Sequence, residues 1–182
     1  KVSESNPAIV NIALNDILNV LKSEIIGTFS TGIHPFRISE LSPQIWETLE
    51  LCMTDRRFVA LGECGLDKNC NISSEIQKEI FQKQIFISEK FQKPLIIHCV
   101  GMYNELMTIR KELKPSQLWI VHGFRGKPEL AHQLMKSGIK LSFGEKFNPA
   151  SVEITPIDQI FIETDESKIS LFEIYQKIAG IK

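Results

Sequence analysis

The chain has 182 residues, 43% of them hydrophobic and 24% charged, with a formal net charge of −1. The apolar content excludes disorder, and the length suits one compact domain with a sizeable core. Apolar runs reach only about six residues against the roughly 20 that a membrane helix needs, and the near-zero charge excludes a broad basic field for long duplex nucleic acid. Lys1–Pro7 contains no apolar stretch of signal-peptide type. The cysteines Cys52, Cys64, Cys70 and Cys99 share no C-x-x-C spacing, and Cys64 and Cys99 lie inside apolar runs. Reduced core thiols in a cytoplasmic protein are therefore expected rather than a disulfide framework.

Seven short apolar runs predict strands: Ala8–Leu14, Ile25–Ile33, Phe58–Leu61, Pro94–Ile97, Leu118–Val121, Ile139–Phe143 and Ile160–Ile162. They are mostly continuous rather than alternating, as in strands of a parallel sheet buried on both faces. Helical patterns stand between them. Ser42-Pro43 places a capping hydroxyl before a first-turn proline, with Ile45, Leu49 and Cys52 following on one face. Ser74 and Gln77 have capping-box spacing and open a long helix with a predicted buried stripe of Ile76, Ile80, Ile87 and Phe91. Pro128 opens another helix that Gly138 ends, and a last amphipathic segment runs from about Lys168 to Ala179. Repeated βα units of this kind imply an open doubly wound sheet or a (β/α) barrel.

The residues that terminate the runs carry the chemistry. His34, Glu63, His98 and His122 each follow an apolar run, and Ile160–Ile162 leads through Glu163 to Asp165. Ends of parallel strands point to one rim, which in barrels holds the active site. One strand-end histidine is commonly a satisfied, half-buried polar residue. His98 and His122 together with Glu63 and Asp165 are instead a ligand set for Zn²⁺ or a similar ion, because four such groups are costly to bury without a cation. His34, before Pro35, fits a turn or a ligand contact equally. His132 lies in a helical pattern and reads as solvated or packing. Glu145, Lys146 and Arg125 are exposed loop charges by default, although Arg125 and Lys146 could hold an anionic group. No phosphate-binding glycine loop, G-x-S-x-G or H-E-x-x-H occurs. Cys99 beside His98 is no nucleophile pair, since adjacent strand residues point to opposite faces.

Several segments, in this order, resemble the TatD family of metal-dependent hydrolases. They are Gly32-Ile33-His34-Pro35, Gly62-Glu63-Cys64-Gly65-Leu66-Asp67, Gln77, Phe81, Gln84 and Pro94 leading to Ile97-His98-Cys99, His122-Gly123-Phe124-Arg125-Gly126, Ser142-Phe143-Gly144 and Glu163-Thr164-Asp165. The resemblance implies a TIM-type (β/α) barrel and a phosphodiesterase-type hydrolase of the deoxyribonuclease kind, using one or two divalent ions (zinc, magnesium or manganese). It also implies roles: Glu63 bridging two metals, His98 and His122 completing one site, Asp165 binding the other and acting as general base, and His34 near the scissile phosphate. Arg125 is assigned to substrate binding.

The family pattern begins with a strand ending in His-x-His, and Lys1–Pro7 offers none. Seven strands are one short of a closed barrel, and a gap between the first and last would leave two open edges. Relatives also carry a further closing helix, an arginine where Val100 stands, and a proline-bearing turn where Glu166-Ser167 stands. The expectation is one domain over residues 1–182, either truncated at the N-terminus and at the C-terminus or naturally short with a reduced site. The open-edge argument favours truncation. One well-formed metal site (Glu63, His98, His122) and a second, weak one at Asp165 are expected for this chain. The expected substrate is single-stranded or short DNA, or a small phosphoester. Metal-dependent amide or lactone hydrolysis is the second reading, and a non-catalytic degenerate barrel acting as a binding protein is the third.

Overall fold

The computed structural model describes residues 8–182. The expectations for Lys1–Pro7 concern residues outside that range. Seven strands, β1 (Ile9–Asn11), β2 (Thr28–Thr31), β3 (Phe58–Asp67), β4 (Leu95–Val100), β5 (Trp119–Val121), β6 (Ile139–Phe143) and β7 (Ile160–Ile162), pair in chain order. Every pairing is parallel. The crossovers carry helices α1 (Ile17–Leu21), α2 (Ile45–Thr54), α3 (Ser74–Phe91), α4 (Tyr103–Leu113), α5 (Pro128–Lys136) and α6 (Pro149–Ile154), and α7 (Leu171–Ala179) follows β7. The sheet curls into a half-barrel with helices, the TIM-type architecture expected, with β1 and β7 as its edges among the described residues. No described helix is long and apolar enough to cross a membrane.

Each apolar run contains a strand, but two strands run further than their apolar stretch. β3 continues six residues past Leu61, so Glu63 lies within it, and β4 continues through His98 to Val100. Extension persists because β3 beyond Leu61 stays paired to β4, from Cys64 opposite Ile97 to Asp67 opposite Val100, whereas its pairing to β2 ends at Leu61. Its polar members stand toward the rim, where the sheet lines a cleft. In β4 the side chains alternate strictly: Leu95, Ile97 and Cys99 are buried, while Ile96, His98 and Val100 are half-buried. His98 and Cys99 thus face opposite ways, and burial pushes the Cys99 thiol up to about 12. All four cysteines are free.

Helix starts differ by a residue or more from the sequence expectation. Ser42 contributes its carbonyl rather than its hydroxyl, accepting the Ile45 N–H at 3.1 Å, and α2 begins beyond Pro43. Ser73, not Ser74, caps α3 by accepting the Ile76 N–H. Gln77 is therefore free of any capping task, and Ile76 remains 47% exposed. The buried residues of α3 are Gln77, Phe81, Gln84, Ile85, Ile87 and Ser88; of the expected stripe Ile87 is buried, Ile80 and Phe91 are half-buried against the core, and only Ile76 faces outward. Pro128 does open α5, Gly138 follows its end at φ +75°, and Ser170 with Glu173 forms a reciprocal capping box on α7.

Candidate metal centre

The C-terminal ends of parallel strands converge on a cleft of about 650 Å³. His34 enters it after β2, Glu63 from β3, His98 from β4, His122 and Arg125 after β5, and Asp165 after β7. All six residues singled out in the sequence therefore line one cavity. Lys146 and His132 do not line it; both are exposed, and Glu145 accepts a hydrogen bond from the Ser167 hydroxyl instead. A larger groove of about 930 Å³, beside α4 and α5, is lined by no imidazole or carboxylate among the described residues. Size alone does not mark the site.

Backbone constraints place these side chains. Gln84, fully buried on α3, accepts the Ile33 N–H at 2.7 Å and donates to the Ile33 carbonyl at 3.1 Å, fixing the residue before His34. His34 Nδ1 in turn accepts the Phe36 N–H at 3.3 Å. Gln77 repeats the device one strand over, bonding both the N–H and the carbonyl of Asp67. Asn11 at the end of β1 accepts the Glu63 N–H at 3.3 Å. Gln84→Ala would leave both Ile33 groups buried without partners. A cost of about 2–4 kcal/mol is expected, read as a lower urea midpoint at unchanged slope.

Electrostatically the cleft is crowded. His122 Nε2 lies 3.5 Å from Glu63 and its Nδ1 3.6 Å from Glu163, whose carboxylate also accepts the Gly123 N–H at 2.6 Å. The rings of His34 and His98 stand 4.2 Å apart, and those of His98 and His122 5.6 Å apart. Burial first, and then the neighbouring imidazoles, lowers the His34 pKa to about 4. Burial raises the Glu63 carboxyl, and the negative charges of Asp165 and Glu163 add to the effect. For His122 burial opposes the charged ring, but Glu163 and Glu63 outweigh it and the net shift is upward.

This donor set fits a cation. Among the described residues His122 Nε2 is buried with no hydrogen-bond partner, an atom that costs free energy unless something accepts its lone pair. Three carboxylates facing one another carry repulsion that a divalent ion relieves, and mixed imidazole–carboxylate ligation suits Zn²⁺ or Mn²⁺. Among the described residues, the group whose ligand atoms all lie within 4.8 Å of one another is His122, Glu163 and Asp165. Glu63 and His98 lie outside that group, so the tightest set is not the expected Glu63, His98 and His122. Glu163 was not singled out as a ligand. Its signal was its place directly after the apolar run Ile160–Ile162, the position that His98 and His122 hold after theirs.

A family model described as "TatD related DNase" matches residues 8–168. An "Uncharacterized metal-dependent hydrolase" of Buchnera aphidicola subsp. Baizongia pistaciae is 31% identical over 164 residues, covering 85% of this chain and 61% of that protein. The "3'-5' ssDNA/RNA exonuclease TatD" of Erwinia amylovora is 29% identical over 147 residues, covering 75% of this chain and 56% of the relative. The chain thus spans somewhat over half the length of these curated relatives. Among solved structures, that of YJJV, a TatD homolog from Escherichia coli K12, superposes with a TM-score of 0.79 at 18% identity, over 95% of this chain and 77% of that one. The last comparison supports the fold.

Proposed function

The chain belongs to the TatD related DNase family, and on that footing we propose that its cleft hydrolyses phosphodiester bonds in single-stranded or short nucleic acid. The observation that carries the reading is the buried, unpartnered Nε2 of His122 beside the carboxylates of Glu63 and Glu163. A divalent ion (zinc, magnesium or manganese) held by Glu63, His98, His122 and Asp165, with Glu163 adjacent, would acidify water and withdraw charge from phosphoryl oxygens.

The chain's own residues supply the rest. Asp165 is exposed at the rim and takes the proton of the attacking water. His34 is uncharged near neutral pH, and because its Nδ1 accepts the Phe36 N–H, its proton sits on Nε2. That ring donates one hydrogen bond to a phosphate oxygen, and Arg125 adds a charge-assisted one. A net charge of −1 favours substrates gripped only at this rim over long duplexes. The relative from Erwinia amylovora, named for ssDNA/RNA exonuclease activity, supports the same substrate class.

We further propose that the domain accepts one more strand between β1 and β7, whose outward residues Ile9 and Phe161 are 47% and 37% exposed. The functional test uses the full polypeptide, an end-labelled single-stranded oligonucleotide and added Mn²⁺. Cleavage that chelator stops, and that His122→Ala lowers by about 100-fold or more, is expected. Cleavage insensitive to both treatments would overturn the reading, and so would turnover of amide or lactone substrates alone.

A further inference from the structure

Asp67 is 3% exposed and lies one residue row behind the cleft, on β3. Its Oδ2 stands 2.7 Å from His98 Nε2, and its Oδ1 accepts the Asn69 N–H at 2.7 Å. The backbone on either side of that carboxylate is fixed: its N–H donates to Gln77 Oε1 at 2.8 Å and its carbonyl accepts from Gln77 Nε2 at 3.0 Å. Gln77 is itself 2% exposed and also donates to the Ile72 carbonyl. Neither oxygen of Asp67 can rotate away without abandoning a hydrogen-bond partner.

We propose that Asp67 is a positioning residue that fixes the tautomer of His98, holding the proton on Nε2 so that Nδ1 offers its lone pair to the cleft. A carboxylate oxygen accepts, so the ring nitrogen that faces it at 2.7 Å carries the hydrogen, and in that tautomer the other nitrogen is bare. Among the described residues His98 Nδ1 has no hydrogen-bond partner, and His98 lines the cleft whereas Asp67 does not. This inference rests on the metal-dependent reading, in which a bare Nδ1 is the ligand atom that His98 contributes.

Asp67→Asn separates this role from packing, because it preserves shape while reversing one hydrogen bond. The amide oxygen must stay with the Asn69 N–H, since an NH₂ there would meet another donor. The NH₂ then faces His98 Nε2, which has to accept, and the proton moves to Nδ1. Long-range ¹⁵N–¹H correlations of the histidine rings, recorded on metal-stripped protein at about pH 9 where imidazole is neutral, read the tautomer directly. The parent protein is expected to show His98 with hydrogen on Nε2, and Asp67→Asn with hydrogen on Nδ1. Calorimetric titration with Zn²⁺ should show affinity lowered about 10- to 100-fold. In His122→Ala the affinity should fall while the His98 tautomer stays as in the parent. Hydrogen on Nδ1 in the parent protein overturns the proposal, and the parent spectrum alone decides this if the variant does not fold. An Asp67→Asn variant that keeps hydrogen on Nε2 and binds Zn²⁺ as the parent does overturns it equally. Failure of the parent to bind any metal would defeat the hydrolase reading, yet the ring spectra would still report on Asp67.

Discussion

Asp165→Asn is expected to lower cleavage of a single-stranded oligonucleotide by about 10²- to 10⁴-fold while leaving the thermal midpoint where it is. The first half follows from replacing a carboxylate that lines the cleft after β7 with an amide of the same size, which cannot take a proton. The second half follows from the backbone. Asp165 sits at φ +47°, in the left-handed region, which asparagine tolerates nearly as well as glycine does. The side chain is exposed and packs against no core. Its charge also raises the pKa of Glu63, so neutralising it removes repulsion rather than attraction. Asp165→Ala is a poorer probe, because alanine at that φ adds strain of about 1–2 kcal/mol and mixes a stability loss with the chemical one. Steady-state rates and a melting curve on the same two variants separate the effects. An asparagine variant that cleaves as fast as the parent would remove Asp165 from the proton-transfer role.

What could be read in advance depended on whether the signal was local. The strands announced themselves because a sheet buried on both faces needs continuous apolar runs, and each of the seven runs holds one. Once the strands are parallel, their C-terminal residues must share a rim, so His34, Glu63, His98, His122, Arg125 and Asp165 come together without any knowledge of contacts. Asp67 stands in a segment that carries the family resemblance, but its contact with His98 was hidden because it depends on β3 continuing past its apolar stretch, which hydrophobicity cannot signal. Gln77 and Gln84 stand among the segments that carry the family resemblance, but their roles were hidden for a related reason. A glutamine seven residues from another on a helix reads as a polar face, and only the approach of α3 to the strand ends turns that face inward to satisfy buried backbone groups. The Ser73 cap differs from the expected Ser74 by one residue, and Ile76, in the first turn, lies on the outward face.

Gly65→Ala is expected to be among the most damaging small substitutions at the described residues, with a loss of about 3–5 kcal/mol and a fall in midpoint of roughly 10 °C for a domain of this size. Gly65 lies in β3 opposite His98, at φ +139°, and an added Cβ would sit 2.0 Å from the His98 carbonyl oxygen. Real carbons stay beyond 3.0 Å, so β3 and β4 would have to part by about 1 Å at the register position that carries His98. Two costs then add. The residue is strained in a conformation that L side chains rarely adopt, and ladder hydrogen bonds on either side are stretched in a part of the sheet that water does not reach. The same displacement would lengthen the 2.7 Å contact between Asp67 and His98, because Asp67 is two residues along the strand. Metal affinity should therefore fall together with stability. Gly180→Ala supplies the contrast: at φ −71°, with its nearest prospective contact at 3.5 Å, it should change the midpoint by no more than a degree or two. Equal midpoints for the two variants would show that the β3–β4 seam yields easily, and the close strand approach would no longer explain why glycine stands at position 65.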